Sequence, residues 1–201
     1  FDENIILGTT VGTLSTINLK IFFDKHSYEL INGEGDIDNP SFTIDNNKLK
    51  TNNSLDYETQ SSYNIRLKTT DALGLSYEEA ITLSVNDINE IPIDILISNF
   101  IITPPVTLTV PAEAPTIYAT LESIDQDIDD KHTFSLVSGV NDTDNNLFRL
   151  YENQLYLGYA VDNPLINSDN YLEYIKSSYN IRLKTTDSGG LSYEEVFTLS
   201  V

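Results

Sequence analysis

Five short acidic segments carry the chemistry this sequence offers. They are Asp2-Glu3-Asn4, Leu55-Asp56-Tyr57-Glu58, Asp87-Ile88-Asn89-Glu90, Asp125-Gln126-Asp127, and Asp187 following Thr185-Thr186. Calcium takes about six to eight oxygen ligands, mostly carboxylates and carbonyls, so such segments make a site only if the fold brings them together. The local alternative is an EF-hand, since Asp125, Asp127 and Asp129 fall at the first, third and fifth positions of such a loop. It fails because the sixth position is Asp130 rather than Gly and the twelfth is Leu136 rather than Glu.

Composition narrows the function classes. With 31 acidic and 11 basic residues the chain has a net charge of −20, which argues against nucleic acid or an anionic membrane as a partner, because both need clustered Lys and Arg. Metal cations are the natural counter-charge. There is no Cys, which excludes disulfides, thiolate zinc sites and a thiol nucleophile. Small extracellular domains without disulfides need another staple, and metal is the usual one. No apolar stretch approaches the roughly 20 residues that span a bilayer, and no signal peptide opens the chain, so the sequence reads as part of a longer protein. Enzyme signatures such as G-x-S-x-G, a Gly-rich phosphate loop or H-E-x-x-H are missing. The expectation is that the chain is not an enzyme.

The elements that must position the acids are legible from an internal repeat. Residues 61–85, SSYNIRLKTTDALGLSYEEAITLSV, return as residues 177–201, SSYNIRLKTTDSGGLSYEEVFTLSV, differing at four of 25 positions. Upstream the match is weaker, pairing His26 with His132, Gly33 with Gly139, Asp36 and Asp38 with Asp142 and Asp144, Phe42 with Phe148, and Leu49 with Leu155. The offset is ten residues smaller there, so the second unit carries ten extra residues before the repeat resumes. Such duplication predicts two domains, 1–90 and 91–201, with a boundary at 86–93, NDINEIPI. Tyr63, Ile65 and Leu67 alternate with polar residues, as do Ile81, Leu83 and Val85, which marks half-buried strands. Gly74, or the Gly189-Gly190 pair, supplies the turn between them. Further strands are expected at 11–15, 27–31, 42–44, 106–110, 117–121 and 133–137. Many short strands in about 100 residues read as an all-β antiparallel sandwich. The two His residues, at equivalent repeat positions, read as structural, and Asp36/Asp38 and Asp142/Asp144 read as a shared loop of the fold.

The combination of LDYE at 55–58 with DINE-x-P at 87–92, a D-x-D pair and a late Asp resembles the cadherin repeat family across essentially the whole chain. It is closest to the cadherin-like repeats of microbial surface proteins. The resemblance implies two tandem Ig-like Greek-key β-sandwiches with calcium at the junction between them. Carried over position by position, it assigns Glu3, Asp56 and Glu58 from the first domain as metal ligands. Asp87, Asn89 and Glu90 come from the linker, and Asp125, Asp127 and Asp187 from the second domain. Acids gathered without metal would repel, a like-charged pair about 4 Å apart costing about 4 kcal/mol at an effective dielectric of 20. Ion binding and domain ordering should therefore be coupled.

The departures matter as much. The positions equivalent to Asp125 and Asp127 are Leu19 and Ile21, and the second unit's counterpart of LDYE is Leu172-Glu173-Tyr174-Ile175. Only the central junction looks complete. The expected function is a calcium-binding extracellular or cell-surface adhesion and spacer module. Its partners would be the neighbouring domains of the same chain and a cell-surface protein or glycan, with no nucleic acid and no direct membrane insertion. Two alternatives are a carbohydrate- or protein-recognition module using the insertion at 158–170 with Tyr156, Tyr159 and Tyr171, and an accessory region of a secreted enzyme.

Overall fold

Alternating apolar residues in the repeated segment build the same long hairpin twice. β5 (Ser62–Thr70) pairs antiparallel with β6 (Ser76–Ser84), placing Tyr63 opposite Leu83 and Ile65 opposite Ile81. β12 (Ser178–Thr186) and β13 (Ser192–Ser200) repeat that register residue for residue. At the hairpin tips Gly74 (φ 85°) and Gly190 (φ 93°) take the left-handed conformation that other residues resist. The Asp that opens each turn accepts backbone N–H groups from the far side: Asp71 from Leu73 and Leu75, Asp187 from Leu191.

A computed structural model describes residues 1–17, 25–102, 117–157 and 176–200. The chain divides into two units, Phe1–Ile88 and Asn89–Val201. This boundary lies two residues before the one expected from the sequence, because Asn89 bonds to Asp187 and the Glu90 N–H to Asp127.

In the first unit, β2 (Ser27–Leu30) extends the hairpin to a sheet of order β2-β5-β6. The facing sheet has the order β1-β4-β3, built from β1 (Thr10–Thr13), β3 (Phe42–Asp45) and β4 (Lys48–Thr51). Phe42, Leu49, Leu55, Tyr63, Ile65 and Val85 fill the space between them, with the Phe42 and Tyr63 rings edge to face at 5.7 Å. Among the described residues the second unit follows the same plan. β9 (Thr133–Leu136) joins β12 and β13. Opposite lies a sheet of order β10-β11-β8-β7, from β7 (Asp94–Ile102), β8 (Ile117–Ile124), β10 (Phe148–Tyr151) and β11 (Gln154–Leu157). Phe148 and Tyr179 repeat the edge-to-face pair at 5.4 Å. The architecture is all-β, with two sheets in each unit among the described residues.

The paired aspartates do the same work in both units. Asp36 and Asp142 accept the N–H of Gly33 and Gly139 at 2.9 Å, closing a turn. Asp38 and Asp144 accept the N–H of Asn64 and Asn180, tying a short 3-10 turn to the central strand. These bonds use the carboxylates structurally.

Several strands escaped the sequence reading. β7 was not anticipated because its apolar residues do not alternate cleanly: Ile95 is buried while Leu96 is exposed, and a register shift between Ser98 and Ile101 surrounds Asn99 at φ 53°. β4 and β11 are short returns of two-residue hairpins, turned by Asn46 and Glu152 at positive φ. β1 ends at Thr13 rather than at residue 15, and the strand expected at 106–110 lies outside the described residues.

Tyr193 and Phe197 pack against the second core, whereas the equivalent Tyr77 is 63% exposed. The start of β7 sets Asp94 beside Glu195 on β13. Burial first, and then the hydrogen bond and charge of Asp94, push the Glu195 carboxyl up, with the Ile95 N–H acting in the opposite direction. A carboxyl whose folded pKa exceeds its unfolded one contributes fully to stability in acid, and that contribution is lost as pH rises through the folded value. Glu195→Gln keeps the neutral shape, so it is expected to raise the melting temperature at about pH 7 and to leave it unchanged near pH 4. Calorimetry in EDTA checks this, and equal shifts at both pH values would contradict it.

Candidate metal centre

In the first unit the site grows from Glu3, a carboxylate only 3% exposed. Burial of a charge demands hydrogen bonds, and Glu3 obtains them from two distant backbone groups. Oε2 accepts the Tyr57 N–H at 2.7 Å, and Oε1 accepts the Ile88 N–H at 2.8 Å. Three chain segments are thereby drawn together: the opening residues, the Leu55–Glu58 turn and the last residue of the unit. Backbone bonds hold the same arrangement, from Asn4 N–H to Leu55 C=O at 2.8 Å and from Glu3 N–H to Asn86 C=O at 3.1 Å, beside a parallel bridge between Asp2 and Asn86.

The Leu55–Glu58 motif divides its labour. Leu55 is anchored in the core, and Asp56 caps the turn by accepting the Thr59 N–H and hydroxyl, both at 3.0 Å. As a result Glu3, Asp56 and Glu58 each offer a carboxylate oxygen within 4.8 Å of the others. Asp87, expected in the same set, is exposed and stands outside this cluster.

In the second unit the hairpin tip and the opening residues meet. Asp187, buried at the end of β12, accepts Leu191 N–H through Oδ1 and the Asn89 side-chain amide through Oδ2 at 3.0 Å. Burial alone would raise its carboxyl. The Asn89 amide, with the N–H groups of Leu191, Gly190 and Gly189, outweighs this and holds it below the usual carboxylate range. Gly189 must be small here, because a Cβ at that position would overlap the Asn89 amide. The equivalent residue of the first unit is Leu73, so the difference between the two repeat copies has a steric origin.

Asp127 accepts the Glu90 N–H at 2.8 Å, which fixes the linker acid's backbone beside the D-x-D pair. Asp125, Asp127 and Asp130 bring carboxylate oxygens within 4.8 Å of one another. The sequence offers Asp130 only as an EF-hand position, yet the fold places it in this acidic cluster. Its carboxylate is held by the Ser188 hydroxyl and N–H, and Ser188 is one of the four repeat differences, replacing Ala72. That exchange was the available signal. His132 also belongs here, since its Nε2 lies 2.7 Å from Asp125 Oδ2. The insertion at 158–170, with Tyr159 and Tyr171, lies outside the described residues, as does the 172–175 segment; Tyr156 is on β11 and donates its hydroxyl to Gln154.

Each cluster suits a hard divalent cation. The donors are oxygens, and an ionised carboxylate offers about four lone-pair positions, so Glu3 and Asp125 keep acceptor capacity beyond their hydrogen bonds. Without a cation, three ionised oxygens at such spacing repel one another. These residues therefore fit calcium and do not fit the Cys and His ligands that zinc prefers.

No family model matches the sequence. Among solved structures, human protocadherin-24 EC1-2 superposes with a TM-score of 0.61 at 15% identity, covering 100% of this chain and 91% of that one. The extracellular cadherin domains 3–6 of protocadherin gamma B2 give 0.59 at 17% identity, covering 100% of this chain and 44% of that one. Domains 1–4 of protocadherin gamma B7 give 0.56 at 23% identity, again covering 100% of this chain and 46% of that one. The chain thus spans less than half of the two longer fragments. At these identities the likeness is one of fold, and the fold of this chain is that of cadherin-like domains.

Proposed function

We propose that the chain is a calcium-binding extracellular adhesion or spacer module, in which calcium at the junction of the two units stiffens the passage from one to the next. The observation that carries this reading is where the acids gather in each unit. In the first they collect around Glu3, which is bonded to the unit's last residue, Ile88. In the second they collect around Asp127, which is bonded to Glu90, one residue from that unit's start. Ile88 and Asn89 are joined by one peptide bond, so any ion shared by the two clusters would tie the units together.

Glu3, Asp56, Glu58 and Asp87 would hold calcium from the first side, and Asn89, Glu90, Asp125, Asp127 and Asp187 from the second, with Asp130 added from its position in the acid cluster. Calcium supplies the positive charge that lets these carboxylates sit close together. The protein's own residues do the rest: Glu3 and Asp187 draw the segments together, and Gly189 leaves room for Asn89. The cadherin-like fold supports an extracellular setting, where millimolar calcium is present, and a role among neighbouring domains and a cell-surface protein or glycan.

Calcium titration by calorimetry is expected to show saturation at about 0.1–1 mM, as in extracellular modules. Chelation should lower the melting temperature and broaden the distribution of interdomain angles seen by small-angle scattering. Asp87→Ala combined with Glu90→Ala should reproduce both effects with calcium present. A protein that melts and scatters identically in calcium and in EDTA would contradict the proposal. Gly189→Leu, which imports the first unit's residue, should displace Asn89 from Asp187 and weaken calcium binding at least about tenfold, since loss of even an outer-shell partner costs about that much. Unchanged affinity would show that Asn89 has no part in the site.

A further inference from the structure

We propose that His132 is a positioning residue for the calcium ligand Asp125, an inference that rests on the calcium reading above. Asp125 has a side chain only 3% exposed, and that of His132 is 11% exposed. A carboxylate so deeply buried must be oriented by the donors it meets. Among the described residues these are His132 Nε2 at 2.7 Å from Oδ2 and the Asp127 N–H at 3.3 Å from Oδ1. The shorter bond belongs to the histidine. Because an ionised carboxylate only accepts, Nε2 carries a proton in this bond.

The backbone of His132 is well placed to hold this geometry. It directly precedes β9, whose first residue, Thr133, pairs with Thr186 on β12, next to Asp187. The histidine is thereby anchored in the same sheet as one proposed ligand while its ring fixes another. With the rotation of Asp125 set, its remaining lone pairs stay with Asp127 and Asp130, whose carboxylate oxygens lie within 4.8 Å. Outer-shell partners of this kind orient metal ligands, and their loss costs about 10–100-fold in affinity. The first unit supplies the internal comparison. His26 occupies the equivalent position, but where Asp125 would stand the sequence has Leu19. Any role of His26 therefore cannot pass through that carboxylate.

The test is calcium titration of the 201-residue protein, well below its melting temperature, for wild type, His132→Phe, His132→Gln and His26→Phe. His132→Phe fills the space without a donor and should weaken binding about tenfold. His132→Gln places an amide N–H near the Nε2 position and should recover most of that loss. His26→Phe should leave binding unchanged. A purely structural histidine would alter the calcium-free melting temperature without changing affinity, or would give the same affinity loss in His26→Phe; either result overturns the proposal. Should His132→Phe fail to fold, nitrogen-15 spectra of calcium-free wild type still decide, since a His132 Nε2 without a proton overturns the proposal and a protonated Nε2 together with Gln rescue supports it. Wild type that takes up no calcium overturns the calcium reading and this inference with it, whereas normal wild-type uptake with an unaffected His132→Phe overturns the histidine role alone.

Discussion

A buried carboxylate must be satisfied, and the arrangement of each unit's acidic end follows from one such group. Glu3 in the first unit and Asp187 in the second are acids removed from water, each bonded to groups far away in sequence. Leaving such a donor or acceptor unmatched in the interior costs about 1–3 kcal/mol, and more when it is charged. The carboxylates therefore select a conformation in which the opening residues, the Leu55–Glu58 turn and the end of the unit converge, or in which the hairpin tip meets Asn89. The other acids of each cluster arrive because these two are held.

That convergence has an electrostatic consequence. Hydrogen bonds from neutral N–H groups fix the acids in place but do not neutralise them, so the clusters stay strongly negative within a chain whose net charge is already −20. On the proposed reading a divalent cation would convert this repulsion into attraction, and ordering of the acids, ion binding and ordering of the chain that links them would become one coupled equilibrium. The sandwich cores are built without the acids: Phe42 with Tyr63 and Phe148 with Tyr179 pack edge to face in the same way twice.

How much of this could be read from the sequence varies with the length scale of the signal. The repeated hairpin was fully legible, because a period of two over nine residues and a Gly at the turn leave little choice of register. Glu3, Asp56 and Glu58, and Asp125 with Asp127, gather as acidic clusters, and each stands in a motif that is local in the sequence. β7 was hidden by a bulge at Asn99, which breaks the alternation that identifies a strand. Asp130 and His132 were hidden for another reason: their partners, Ser188 and Asp125, are set by a tertiary approach that no local pattern reports. In retrospect the exchange of Ala72 for Ser188 and of Leu73 for Gly189 marked that approach, since substitutions in an otherwise identical repeat fall where the two surroundings differ. Asp87 shows the converse, a ligand position given by the motif whose side chain is exposed to solvent.

The central claim is that these carboxylates are calcium ligands, and the most direct measurement is diffraction from crystals grown in millimolar calcium, recorded to locate the anomalous scattering of the ion. The account predicts anomalous peaks about 2.3–2.6 Å from oxygens of Glu3, Asp56 and Glu58 and of Asp125, Asp127 and Asp187. Density showing the same carboxylates bonded only to water, to lysine or to one another, with no anomalous peak among them, would contradict it.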